Sequence, residues 1–188
     1  MSEEFLGDRR KALEEEFFAK QNQRLLRQLR ETMAVKAKTE ALAAASGITD
    51  AAVLAQLAAI DLSSETVAVL ALVPLIEVAW ADGRLDAKEQ SALLAAAEQA
   101  GLGKDSASYQ LLEEWVKERP SPRVLAAWKA YVAALAETLD GEAKHALQQE
   151  LLGRARVVAE AAGGFLGLGN RISSAEQAVL TELEQAFA

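Results

Sequence analysis

Nowhere in this chain do apolar and polar residues alternate with period two for long enough to make a strand. Apolar residues recur instead three and four positions apart through most of its length, which is the spacing of a helix face. That property restricts the chain to an all-α fold. Alanine dominates the apolar 51% and proline occurs only three times, so the helices are expected to pack closely through small side chains. Phe17, Phe18, Leu25, Leu26, Leu29 and Met33 repeat at helical spacing among many charges, and residues 8–45 read as one long helix or as a helix with a break. We expect residues 1–45 to form a helical arm and residues 46–188 a compact bundle, about eight helices in all.

The punctuation beyond the arm is explicit. Gly47 ends it, and Thr49 or Asp50 caps a short helix, AAVLAQLAAI. Ser63 or Ser64 opens an apolar helix running to Trp80, with a kink expected near Leu70 because Pro74 cannot donate to its carbonyl. Gly83 then separates this segment from a helix over 87–100, which Gly101 and Gly103 close. ASYQLLEEWVKE stops at Arg119-Pro120-Ser121-Pro122, residues 122–139 form the next helix, and Asp140 caps one reaching Ala162. After the loop GGFLGLGN a last helix spans 174–187.

Two parts of the chain echo each other. RLDAKEQSAL at 84–93 aligns with RISSAEQAVL at 171–180, pairing Arg84 with Arg171, Leu85 with Ile172 and Glu89-Gln90 with Glu176-Gln177. An apolar helix with one glutamate precedes each copy, Glu77 in the first and Glu160 in the second. The arrangement predicts a pseudo-twofold pair of helical hairpins with helices 64–81 and 142–162 at the centre.

Much chemistry is excluded by what is missing. Without cysteine there is no disulfide, thiolate nucleophile or Cys-ligated zinc, and His145 alone builds neither a triad nor a histidine metal site. A net charge of −8 argues against sequence-independent nucleic-acid binding and anionic membrane surfaces. MSEEFLGDRRKALEEE lacks the apolar core of a secretory signal, and VAVLALVPLIEVAWA is too short to span a bilayer and carries Glu77, so a cytoplasmic protein without an integral membrane segment is expected. An EF-hand loop starting at Asp82 would put Arg84, Ala87 and Leu93 at its third, sixth and twelfth positions, where an oxygen ligand, a glycine and a glutamate are required. GGFLGLGN lacks the Lys-Ser/Thr of a phosphate loop and follows a helix, not a strand. No enzyme signature survives, so a non-enzymatic protein without an organic cofactor is expected.

The acidic turn ADGRLDAKE has a structural account: Gly83 gives a left-handed helix end, Asp86 is an N-cap, and Glu89 completes a capping box that Ser173 and Glu176 repeat. Glu77 stands apart, because Leu72, Val73, Leu75, Ile76 and Val78 surround it and a buried carboxylate requires a partner. Either Arg84, Arg171 or a helix N-terminus supplies that partner, or a divalent cation does, shared with Asp82 and Glu160. Phe165 and Leu166 either tuck into the body or stand exposed as a partner site. Trp80, Trp115 and Trp128 read as core.

The helix–Ala81-Asp82-Gly83–Leu85-Asp86–Glu89–helix unit, with its second copy, resembles the tellurite-resistance TerB-like family over residues 64–188. The resemblance implies a compact all-α fold with internal pseudo-symmetry, a role in metal and other stress responses, membrane-associated complexes, metal binding, and no established catalysis. It lends weight to Asp82 and Glu89 as metal ligands and, through the repeat, to Glu176. Gly169-Asn170 stands where the second copy would need Asp-Gly, so the resemblance does not extend to a symmetric site. FLGDRRKALEEEFFAK is also similar to the start of the ATPase-inhibitor zeta subunits, at Asp8-Arg9, Lys11-Ala12, Glu14 and Phe17. That similarity implies a helical arm entering a groove in another protein. A protein partner is therefore expected on Phe17, Phe18 and Leu25, with Phe165 and Leu166 as a second contact, and the arm could also pair two copies of the chain. The alternative is a divalent-metal module using Glu77, Asp82, Glu89 and Glu160.

Overall fold

Every regular element in the computed structural model, which describes residues 2–163 and 172–187, is helical. Eight α-helices occur among the described residues: α1 (Ser2–Ser46), α2 (Ala51–Ala59), α3 (Val73–Ala79), α4 (Ala87–Gln99), α5 (Ala107–Lys117), α6 (Pro122–Thr138), α7 (Gly141–Gly163) and α8 (Ser174–Glu184). Two 3-10 helices, Val67–Leu72 and Gln185–Phe187, complete them. The chain divides into two units, Met1–Glu40 and Ala41–Ala188. Phe165 and Leu166, named above as a contact, lie outside the described residues.

The first unit is a single unbroken helix. Its side chains from Lys20 to Lys38 are all exposed, and Thr32 and Thr39 return their hydroxyls to the carbonyls of Gln28 and Val35. Asn22 and the glutamines beside it do not break it.

The second unit begins inside the last turns of α1, where Leu42 is fully buried. Gly47, at φ +72°, ends α1 by donating to Ala43 O at 3.0 Å. Asp50, rather than Thr49, caps α2, its Oδ1 accepting from the amides of Ala52 (2.8 Å) and Val53 (2.9 Å). Asp61 closes α2 in the left-handed conformation, φ 60°, with Asp61 N donating to Ala58 O and Leu62 N to Leu57 O. That is the Schellman pattern with aspartate where glycine is usual.

The long kinked helix expected from Ser63 to Trp80 does not form. Ser63 and Thr66 make a turn instead, Val67–Leu72 winds as a 3-10 helix, and α3 starts afresh at Val73 with Pro74 in its first turn. The physical reason is that proline's missing N–H costs nothing where amides have no intrahelical partner anyway. Leu70 O, which Pro74 cannot serve, accepts from Val73 N.

All seven residues of α3 are buried, including Glu77. The helix packs chiefly on α7, which turns Leu151, Leu152, Ala155 and Ala159 inward. α4 also packs on α7, and α8 packs on α3, so each hairpin lays its second helix against the first helix of the other. Both capping boxes are present: Asp86 Oδ1 accepts from Glu89 N (2.9 Å) while Asp86 N donates to Glu89 Oε2 (2.8 Å), and Ser173 and Glu176 do the same. Trp115 and Trp128 are core residues, and half-buried Trp80 donates its Nε1 to Trp115 O at 3.0 Å.

The placement of Pro74 has a measurable consequence. An interior proline lowers helix stability by about 3 kcal/mol, so Pro74→Ala would strengthen a continuous helix. At the start of α3 the same change should lower stability by about 1 kcal/mol, through a freer unfolded chain and lost packing. Urea unfolding of the two proteins measures which sign holds.

Candidate functional site

Glu77 owes its position to α3, which has no solvent face on which a charge could sit. Its side chain is 7% exposed, and its Oε2 lies 3.6 Å from Nη2 of Arg119. At that distance the contact is an ion pair and not a hydrogen bond. The partner is therefore neither of the arginines expected from the sequence. Arg84 is directed at its own turn, with its N and Nε on the Asp82 carboxylate at 3.1 and 3.3 Å, and Arg171 lies outside the described residues. Arg119 comes from the turn between α5 and α6, where Pro120 follows it. The local signal for it was a cation held beside a proline, which has less backbone freedom to lose on pairing.

Burial pushes the Glu77 carboxyl above the usual carboxylate range, and the Arg119 guanidinium opposes this. Glu182 raises it further and Lys129 lowers it, and those two are themselves paired. The buried carboxylate thus feels three other charges, drawn from the α5–α6 turn, α6 and α8.

The acidic turn lies elsewhere in charge terms. Asp82 and Asp86 are exposed, Glu89 is half-buried, and Glu176 is buried. Each carboxylate accepts from a backbone amide: Asp82 from Arg84, Asp86 from Lys88 and Glu89, Glu89 from Asp86, and Glu176 from Ser173. Burial raises the Glu89 pKa, its bond from Asp86 N lowers it, and the charges of Asp86, Asp82 and Glu176 raise it further. The two capping glutamates are thus electrostatic neighbours. Of the four residues proposed for a metal, Glu77 answers to Arg119, whereas Asp82 and Glu89 share the turn. The Glu160 side chain lies outside the described residues. Among the described residues no group of three or more His, Asp or Glu is placed to hold a metal ion.

Of the residues expected to meet a partner, Phe17 and Leu25 are exposed, and the Phe18 side chain lies outside the described residues. Leu26, Leu29 and Met33 are exposed with them. No single helix among the described residues is long and apolar enough to cross a membrane. On the body, a groove of about 670 Å³ runs between α4 and α7 past Ala92, Ala95, Ala96, Ala100, Gly153 and Val157. His145 is exposed on α7.

Compared with family profiles, curated protein sequences and solved structures, the chain matches none of them.

The Glu77 geometry fixes the sign of a pH effect. Its folded pKa is raised, so its contribution to stability is full below the unfolded pKa of about 4.3 and is lost as pH rises through the folded value. Glu77→Gln cannot ionise and should remove that part of the pH dependence. The variant's stability relative to wild type should therefore rise from pH 4 to pH 7 in urea unfolding. Parallel pH profiles for the two proteins would mean that Arg119 fully offsets the burial of the charge.

Proposed function

We propose that this chain is a non-enzymatic, TerB-like helical protein that acts in the cytoplasm by binding a protein partner through α1, in a stress response. The observation that carries the reading is the exposure of α1: Leu25 (64%), Leu26 (52%), Leu29 (52%) and Met33 (62%) recur at i, i+1, i+4 and i+8 and so form one apolar face. Lys20, Arg24, Arg27 and Lys38 fall on the opposite half of the helix, together with exposed Phe17 and Val35. A helix of this length draws most of its stability from packing that face against something. The stress-response role rests on the resemblance of the Ala81–Glu89 turn alone. The arm also offers a surface through which two copies of the chain could pair.

Replacing Leu25 and Leu29 together with aspartate tests this in the full-length protein. The double variant should unfold within about 0.5 kcal/mol of wild type, because both side chains are exposed. It should nevertheless lose a partner that wild type retains on a column, and any dimer seen by light scattering should become monomer. Equal retention and equal mass for both proteins would remove α1 from the binding surface.

A second reading has one observation in its favour. Glu89 carries the accumulated negative charge of Asp82, Asp86 and Glu176, which a divalent cation would relieve. On that reading calcium, magnesium, manganese or zinc raises the melting temperature of wild type and not of Asp82→Asn. A melting temperature unchanged across the four ions counts against it.

A further inference from the structure

From position 11 to position 40, ten positions of α1 fall within one stripe about 100° wide at 3.6 residues per turn. Their spacing is a palindrome. The steps are four, three, four and three residues up to Leu25, and three, four, three and four onward from Leu26. Reversing the stripe about the midpoint between Leu25 and Leu26 therefore places every position on another of the ten. The residue types answer one another under the same reversal. Lys11 falls with Glu40, Glu15 with Lys36, Phe18 with Met33, Asn22 with Leu29, and Leu25 with Leu26. Lys36 and Glu40 touch each other at 3.8 Å, yet both side chains remain largely exposed and open to a further contact.

A stripe with this symmetry is complementary to a copy of itself laid antiparallel. We propose that α1 binds α1 of a second copy of this chain, antiparallel, with the two-fold axis between Leu25 and Leu26. The inference rests on the reading of α1 as the binding surface and names its partner. Under the two-fold axis each pairing occurs twice. Lys11–Glu40 and Glu15–Lys36 ion pairs thus flank, at both ends, an apolar seam reaching from Phe18 to Met33 in each copy, about 22 Å long. A parallel pair would set Lys11, Glu15, Lys36 and Glu40 each against its own counterpart, like charge on like. Its one gain would be Asn22 facing Asn22, a pairing that fixes register in parallel coiled coils. Repulsion in every charged layer outweighs that single polar contact.

The chain has no cysteine, so introduced cysteines report the pairing directly in the full-length protein. Glu15→Cys and Lys36→Cys are made as separate proteins. Mixed and mildly oxidised, the two should form a disulfide-linked dimer. Neither should do so alone, because like positions then lie about 31 Å apart along the seam, far beyond disulfide reach. Adding Leu25→Asp and Leu29→Asp to both should remove the cross-link. Lys36→Glu and Glu15→Lys should each weaken the dimer about ten-fold in sedimentation equilibrium, and an equal mixture of the two should regain wild-type affinity. Cross-linking of each cysteine variant with itself and not with the other means a parallel pair and overturns the proposal. So does a wild type that stays monomeric at its highest soluble concentration. The reading of α1 as a binding surface survives that second result if the Leu25 and Leu29 aspartate variant still loses a column partner that wild type retains. It falls too if both are retained alike.

Discussion

The fold of the body depends on burying α3 on every side. A helix with no solvent face cannot rely on water to satisfy its ends or its charges, so each must be met from within. Its start meets this demand with Pro74, which has no amide to satisfy, and its end with the tightening turn through Trp80 and Gly83. Full burial of a Leu, Ile or Val side chain is worth about 1.5–3 kcal/mol, and Val73, Leu75, Ile76 and Val78 are all inside. That gain outweighs what is lost by placing one carboxylate in the same helix. Glu77 is tolerated because Arg119 reaches it from half-exposed ground, which leaves the guanidinium largely hydrated and avoids burying two ions.

Around α3 the two hairpins α3–α4 and α7–α8 interlock, and their turns solve one local problem twice. Asp86 with Glu89 and Ser173 with Glu176 start α4 and α8 with the same reciprocal hydrogen bonds. The exchange of aspartate for serine at the cap shows what the position demands, namely an oxygen acceptor for the first free amides. It also brings two capping glutamates into electrostatic contact, which accounts for part of the raised Glu89 pKa. The acidic character of this region is therefore first a consequence of how two helices begin.

How far the sequence could be read differs from place to place. The element list was nearly complete, because caps and breakers act over four residues: Gly47, Asp50, Asp86, Gly101, Asp140 and Ser173 all do what their chemistry predicts. The exception was Pro74, which is equally compatible with a kink inside one helix and with the start of another. Only the packing of Leu70, Leu72 and Val73 around it decides between them. That Glu77 needs a partner was legible from its apolar neighbours, yet Arg119 lies forty-two positions away in sequence and belongs to another element.

The sequence by itself determined that this is a helical chain, where most helices begin and end, which face of α1 is apolar, and that Glu77 is buried. These are short-range consequences of periodicity, capping chemistry and burial. Only the tertiary structure decided that α3 is a separate helix, that Arg119 faces Glu77, that Glu89 and Glu176 are neighbours, and that the buried Trp128 indole N–H has no acceptor among the described residues. Each of these depends on how helices far apart in sequence cross, and crossing geometry follows from the fit of whole surfaces, which no local run of residues encodes.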